Sequence, residues 1–346
     1  MQTKPFQLIL SIFIFCSGFL FCSDYSIVFV HIGKSLPIYV EDAIDQAALF
    51  NEESDIYLLG NLKAVSQLSK KYEKTNVSIV PIETLTKSKA HKQFIKKSKL
   101  SREFRDGHSN HASERFFYLA DFAKKENIKH LFHLENDVML YVDLQELFPL
   151  FKTLYSNIAA TFDNDSRCIP GFIYFKDEQA LEHLTNFMQK EAALDHNDMQ
   201  AISCYRQYYN SEYIDHLPIT VKNYELDYPM VSISGLKSNH KLKYQNHIEL
   251  FKSLFDAAAF GQYLGGEDPR NGPNEVGFVN EDSLVNPRHF SYTWEADKKK
   301  RMVPYVQYKG EKYRLNNLHI HSKELCKFSS HASQRNNLML NLNKLK

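Results

Sequence analysis

The stretch from Lys129 to Asp143 reads K-H-L-F-H-L-E-N-D-V-M-L-Y-V-D. A short apolar run, Leu131 to Leu134, stops at Glu135-Asn136-Asp137 and then resumes. In an extended chain, residues two apart point to the same side. Glu135 and Asp137 therefore make a claw suited to a hard divalent cation. An isolated buried carboxylate carries a large desolvation cost, which a cation offsets. The pair is either the acidic part of a metal and nucleotide site or only the polar end of a strand.

Upstream, the chain alternates. Tyr25 to Ile32 is a continuous β-branched and aromatic run, the mark of a strand buried on both faces. Gly33 ends it. Pro37 opens a helix that turns Ala43, Ile44, Ala47 and Ala48 inward. Asp55 to Leu59 reads as a second strand, followed by helix to about Tyr72 and a strand from Val77 to Val80. A β-α-β-α-β alternation predicts an α/β fold, with a mostly parallel, Rossmann-like central sheet and helices on both faces. Glu83 to Asp106 is basic and polar, either a solvated helix or loop or a mobile lid over an anionic ligand. Phe116, Leu119, Ala120 and Ala123 keep helical spacing, with Arg115 beside them. The strand from Lys129 to Leu134 is then the fourth of the sheet. In such sheets, ligands bind outside the carboxyl ends of the strands, which is where Glu135 and Asp137 fall.

Downstream, Leu144 to Tyr155 reads as helix, and Ile158 to Phe162 and Gly171 to Lys176 as strands. Asp177 caps a helix from Glu178 to Lys190. Beyond residue 195 the pattern loosens. His247 to Phe260 reads as helix and Gly261 to Gly272 as a Gly-rich loop. Val303 to Tyr308 and Lys312 to His321 read as a C-terminal β-hairpin about Gly310. One domain over 24–330 accounts for this, with an ordered half at 24–190 and an irregular half at 191–330. Residues 331–346 read as a polar tail.

A formal net charge of +1 gives no case for nucleic acid as a partner. Phe6 to Cys22 is apolar, with Lys4 before it and Asp24 after it. This leader, 1–23, reads as a signal peptide or a signal anchor. Either way the rest of the chain is expected on the translocated side, in the secretory pathway or anchored to a membrane, with secretion as the alternative. Cys168, Cys204 and Cys326 remain beyond the leader, enough for one disulfide and too few for a disulfide scaffold.

Other stretches carry candidate chemistry. In L-H-I-H-S-K, Leu318 to Lys323, His319 and His321 share a face if the segment is a strand. Both can then reach one metal, or they are two surface histidines. Lys323 on the same side suits a diphosphate. The segment from Asp256 to Asp268 mixes small residues with Asp256, Gln262, Glu267 and Asp268, which can bond hydroxyls or act as a base. Asp163-Asn164-Asp165 is a competing acidic claw or an Asx turn. Pro170-Gly171-Phe172 is a place for a sugar or phosphate to pass, or a plain turn.

The helix S-E-R-F-F-Y-L-A-D-F, then H-L-E-N-D-V-M-L-Y, then the late H-x-H-S-K, resembles the arrangement in metal-dependent glycosyltransferases of the GT-A fold. The likeness runs over roughly Tyr25 to Lys323. It implies Mn2+ or Mg2+ as cofactor, a nucleotide-sugar donor, and a carbohydrate or other hydroxyl acceptor. Asp137 matches the last acid of the DXD motif, which chelates the metal, and Glu135 the first. His319 or His321 matches the late metal-binding histidine, and Lys323 the diphosphate-binding lysine. Arg115 would lie near the donor phosphates. His31 and Gly33, at the end of the first strand, would hold base and ribose. Asp256 would be the catalytic base of an inverting reaction. The chain departs from the family pattern in having Glu at the first acidic position and two late histidines. Rival expectations are a metal-dependent phosphohydrolase and a non-catalytic secreted carbohydrate-binding or effector protein.

Overall fold

A computed structural model describes residues 23–225, 241–273 and 275–331. The leader, apart from Ser23, and the polar tail, apart from His331, lie outside the described residues.

The expected alternation is present. β1 (Ser26–His31), α1 (Ile38–Phe50), β2 (Asp55–Gly60), the short α2 (Leu62–Val65) and α3 (Leu68–Tyr72), and β3 (Val77–Pro81) follow in order. α1 buries Val40, Ala43, Ile44, Ala47 and Phe50, a stripe at helical spacing. The basic stretch holds α4 (Lys89–Lys97), started by Ser88 accepting the His91 N–H. It is no free lid. Phe94 and His91 are fully buried, and His91 meets Asp121 at 2.6 Å on α5 (His108–Glu126).

β4 (Leu131–Leu134) and β5 (Val138–Leu140) flank the E-N-D triplet, and α6 (Leu144–Leu154) follows. β6 (Ile158–Asn164) and β7 (Arg167–Phe175) form a hairpin. Its turn is the Asx turn, with Asn164 Oδ1 accepting the Ser166 N–H at 2.9 Å. Then come α7 (Glu178–Glu191), α8 (Asp198–Tyr209) and β8 (Ile214–His216).

The helix expected over His247 to Phe260 is corrected. The structure has α9 (Lys241–Tyr244), α10 (Ile248–Phe251), β9 (Ser253–Leu254) and α11 (Ala259–Gly265). Lys252 and Ala258 sit at φ of 51° and 69°, which interrupts any helix through them. Short apolar runs do not separate helix from strand by period alone. The Gly-rich loop is corrected too, since Gly261 and Gly265 lie inside α11.

β10 (Ser291–Ala296), β11 (Met302–Tyr308) and β12 (Glu311–Leu315) complete a four-stranded sheet with β9. The β11–β12 hairpin turns at Lys309 and Gly310, both at positive φ. Asn316 breaks the expected long strand. β13 (Asn317–His319) leaves for another sheet and pairs with β5.

The main sheet runs β3-β2-β1-β4-β7-β6-β8. Its pairings β2–β3, β1–β2, β1–β4 and β6–β8 are parallel, and β4–β7 and β6–β7 antiparallel. All of β4 and nearly all of β1 and β7 are buried, so both faces of the sheet are covered. Residue 190 is no break in this architecture. β8 extends the main sheet from one side of that boundary, and β13 docks on β5 from the far end of the chain. Among the described residues, no helix is long and apolar enough to cross a membrane.

Candidate functional site

Parallel pairing carries β4 alongside β1, and the chain leaves the sheet at Glu135. The turn is fixed on both sides. Glu135 N–H donates to Gly171 O at 3.0 Å, and Asn136 Nδ2 donates to Val30 O at 2.8 Å. Asn136 therefore ties the triplet to β1, which leaves Glu135 and Asp137 for the site.

β13 brings the second part. His319 opposes Val138, and Ile320 N–H donates to Asp137 O at 2.8 Å. His319 Nε2 lies 3.0 Å from both Glu135 Oε2 and Asp137 Oδ1. His321 falls just beyond β13, yet its ring packs edge-on to that of His319 at 4.3 Å. Lys323 takes φ 63°, turning the chain back so that its ammonium pairs with Asp137 Oδ2. One ligand atom each from Asp137, His319 and His321 lie within 4.8 Å of one another.

The charges are strongly coupled. Burial would raise Asp137, but Lys323 and His319 hold its carboxyl well below the usual range. Burial would raise Glu135 as well, and Arg115 with His319 keeps it ionised. His319 goes the other way. Burial opposes its charge, and Asp137 and Glu135 override it, pushing it up to about 10. His321 is pushed down to about 3, first by burial and then by the charge on His319. Without a metal, a protonated His319 thus shares its one positive charge between the two acids, beside Arg115 and Lys323.

The donor set fits a divalent ion. Nδ1 of His319 is buried without a partner, and its ring is free of any bond that would aim Nε2 elsewhere. The His321 ring is held through Nδ1 by the Gln262 amide at 2.6 Å. Two imidazoles and a carboxylate differ from the all-oxygen shell of Mg2+ and favour Mn2+ of the two.

Three sequence-predicted roles change. Asp256 is fully buried, with Oδ1 accepting from Phe260 N–H and Oδ2 from Gly261 and His319 N–H, at 2.8 to 2.9 Å. Both oxygens are thus spent on backbone N–H groups, and the carboxylate positions the His319 backbone. Arg115 is locked between Glu135 and Asp198, so its guanidinium is committed to carboxylates and not held out to phosphate. Gly171 admits no passing ligand. A Cβ there would stand 2.7 Å from His319 Nδ1, so the glycine makes room for the imidazole. His31 and Gly33 lie at the carboxyl end of β1, as expected. His31 Nε2 meets Ser35 O at 2.8 Å, and Gly33 N–H donates to Asn61 Oδ1 at 2.9 Å.

Sequence reasoning missed Asp198, Asn317, Gly261 and Tyr39. Asn317 clasps Asp256 at both backbone groups. A Cβ on Gly261 would sit 2.1 Å from His319 O, so glycine lets α11 press onto β13. Tyr39 places its ring 5.6 Å from the Lys323 ammonium. The double Asn before L-H-I-H was the one available signal. Nothing local marks Asp198 as the partner of an arginine 83 positions away.

No family model and no curated protein matches the chain. Solved structures do. Mouse xyloside xylosyltransferase 1, apo form, is 10% identical at a TM-score of 0.43, over 56% of this chain and 85% of that one. The apo-form glycosyltransferase GlyE of Streptococcus pneumoniae is 15% identical at 0.37, over 56% of this chain and 44% of that one. A cytidylyltransferase from Leptospira borgpetersenii is 14% identical at 0.36, over 56% and 75%. At TM-scores this low the likeness carries no argument, and the chemistry rests on the residues of the site.

Proposed function

We propose that this protein is a metal-dependent glycosyltransferase of the GT-A kind, moving a sugar from a nucleotide-sugar donor to a hydroxyl acceptor. The observation that carries this is the convergence of Asp137, His319 and His321, with Lys323 beside them, at the carboxyl end of the fourth strand of a mostly parallel sheet.

Asp137, His319 and His321 would hold Mn2+ in preference to Mg2+, with Glu135 touching the same imidazole. When bound, the cation neutralises charge that develops on a leaving diphosphate. Lys323 adds a fixed positive charge next to that position. Its ammonium is held charged by Asp137 against the pull of burial. Arg115 keeps Glu135 ionised and Asp256 holds the His319 backbone, so both act through the ligands. The carboxyl end of β1, His31 to Gly33, is the proposed bed for base and ribose. The leader read at 1–23 supports a translocated enzyme, membrane-anchored or secreted.

Titration calorimetry with a panel of nucleoside diphosphates, with and without Mn2+, tests the reading. Metal-dependent binding of one diphosphate, followed by sugar release from the matching nucleotide sugar, is expected. Binding of free phosphate with hydrolysis of phosphomonoesters would turn the reading to a phosphohydrolase. Absence of any nucleotide binding, with or without metal, ends the transferase reading.

A further inference from the structure

A second cluster lies away from the site, at the corner between α7 and α8. Glu191 ends α7, His196 stands just ahead of the α8 cap, and Cys204 lies within α8. His196 Nδ1 is 2.8 Å from Glu191 Oε2 and 4.0 Å from Cys204 Sγ. One ligand atom from each of the three lies within 4.8 Å of the others.

The corner is rigid. His196 N–H donates to Glu191 O at 3.2 Å, and Asp195 takes φ 71° to make the turn. Asn197 and Gln200 close a capping box at the start of α8. The His196 side chain is 38% exposed and that of Glu191 14%, so an ion can enter from solvent. A histidine–glutamate pair alone explains two of these residues. The thiol of Cys204 reaches both partners from a separate helix, 4.0 Å from the same ring nitrogen and hydrogen-bonded to Glu191. In a tetrahedral zinc site, bond lengths place sulfur and nitrogen ligands roughly 3.5 Å apart, and oxygen and nitrogen roughly 3.3 Å. The observed 4.0 and 2.8 Å lie to either side of those values.

We propose that Glu191, His196 and Cys204 form a zinc site, independent of the Asp137 centre. A thiolate selects zinc over Mn2+ and Mg2+, which favour oxygen. Three protein ligands leave the fourth position to water. On binding, the Cys204 thiol gives its proton to solvent and the sulfur bonds the ion. Glu191 exchanges its contact with His196 for a bond to the same ion, and the proton on His196 Nδ1 moves through solvent to Nε2, which frees Nδ1 to bond the ion. The site joins the end of α7 to α8, whose first residue, Asp198, reaches Arg115.

Co2+ added to the full chain is the probe, because only a thiolate ligand gives a near-ultraviolet sulfur-to-cobalt absorption band. The Asp137 centre has no sulfur, so Asp137→Ala should keep the band at full strength. Cys204→Ser should lose it. His196→Ala and Glu191→Gln should weaken Co2+ binding, read from the band, by more than about 10-fold, the least that even an outer-shell change costs. In the wild type, Zn2+ should slow alkylation of Cys204, followed by peptide mass spectrometry, and the protection should vanish in His196→Ala. The proposal is overturned by the absence of a band in the wild type, by a band that survives Cys204→Ser, or by a Cys204 alkylation rate that Zn2+ leaves unchanged. The alkylation measurement needs no variant, so a Cys204→Ser chain that fails to fold does not rescue the idea.

Discussion

His319 Nε2 lies 3.0 Å from Asp137 Oδ1 across 182 positions of sequence. The two-stranded β5–β13 sheet makes that contact, with Asn317 opposite Leu140 and His319 opposite Val138. A slip of one residue would turn His319 to the opposite face. Asp256 guards the register, because its carboxylate takes the His319 N–H and two α11 N–H groups together. The candidate metal centre is therefore a product of strand pairing more than of either motif alone.

The proton on His319 gives the first prediction. Its folded value, about 10, stands above the ordinary 6.5. The sign follows from linkage: the stabilisation is fully present below the unfolded value and is lost as pH rises through the folded one. In chelator, the melting temperature should fall between pH 6.5 and pH 10, and His319→Gln should flatten that slope. Mn2+ competes for the same nitrogen, so its affinity should rise about tenfold per pH unit over the neutral range, one proton leaving per ion. Calorimetry showing pH-independent Mn2+ affinity would remove His319 from the ligand set.

Asp137→Asn tests the acid with the fewest alternatives. It keeps the side chain's size but removes the charge that pairs Lys323 and His319. Mn2+ affinity should drop by more than about 100-fold and sugar transfer should go with it, while circular dichroism stays native. Retention of wild-type metal affinity would refute the assignment.

Asp256→Asn separates positioning from base chemistry. An amide in place of the carboxylate turns N–H against buried N–H donors, at a cost of about 1–3 kcal/mol for each one left unsatisfied. Stability to urea and Mn2+ affinity should fall together. A variant of native stability and native Mn2+ affinity that has lost only turnover would return Asp256 to the role of base.

Two glycines should respond differently. Gly171→Ala presses on the His319 ring, 2.7 Å from Nδ1, and on Val138 at 3.3 Å. Gly261→Ala strikes His319 backbone, 2.1 Å from O and 2.8 Å from N. The ring can tilt and the strand cannot, so Gly171→Ala should lower metal affinity more than stability. Gly261→Ala should cost at least the ~1–3 kcal/mol typical of overpacking. Equal effects of both on urea unfolding and on Mn2+ titration would contradict this account of the cradle.

Much of this architecture was legible in the chain. The continuous apolar runs of β1 and β4 mark strands buried on both faces, and the E-N-D triplet and H-x-H-S-K segment stand out against them. The fold's contribution was to say which groups are spent. Asp256 looked like a free acid because the three N–H groups it accepts belong to backbone, which no side-chain pattern reveals. Arg115 looked available because Asp198 lies in the loosely patterned half. The break between α10 and α11 was hidden because positive φ fell on Lys252 and Ala258, not on glycine. His321 reached the centre although the strand ends at His319, because Ile320 N–H still bonds Asp137 O and the Gln262 amide holds the His321 ring.

The clamp on Glu135 gives the last prediction. Arg115 is only 9% exposed and bridges Glu135 to Asp198, with Asp198 Oδ2 2.7 Å from Nη2. Burial pushes the Asp198 carboxyl up, and the guanidinium works against that rise. Arg115→Met would leave two buried carboxylates facing each other, a loss of about 3–5 kcal/mol for an unpaired buried charge. Adding Asp198→Asn removes one of them and should restore part of that loss, so the double-mutant cycle should show strong coupling in urea unfolding. A phosphate-binding arginine predicts otherwise: Arg115→Met would then leave stability alone and weaken nucleoside diphosphate binding. If unfolding is unchanged and only nucleotide affinity falls, Arg115 faces the donor; if stability falls and Asp198→Asn repairs it, Arg115 serves Glu135.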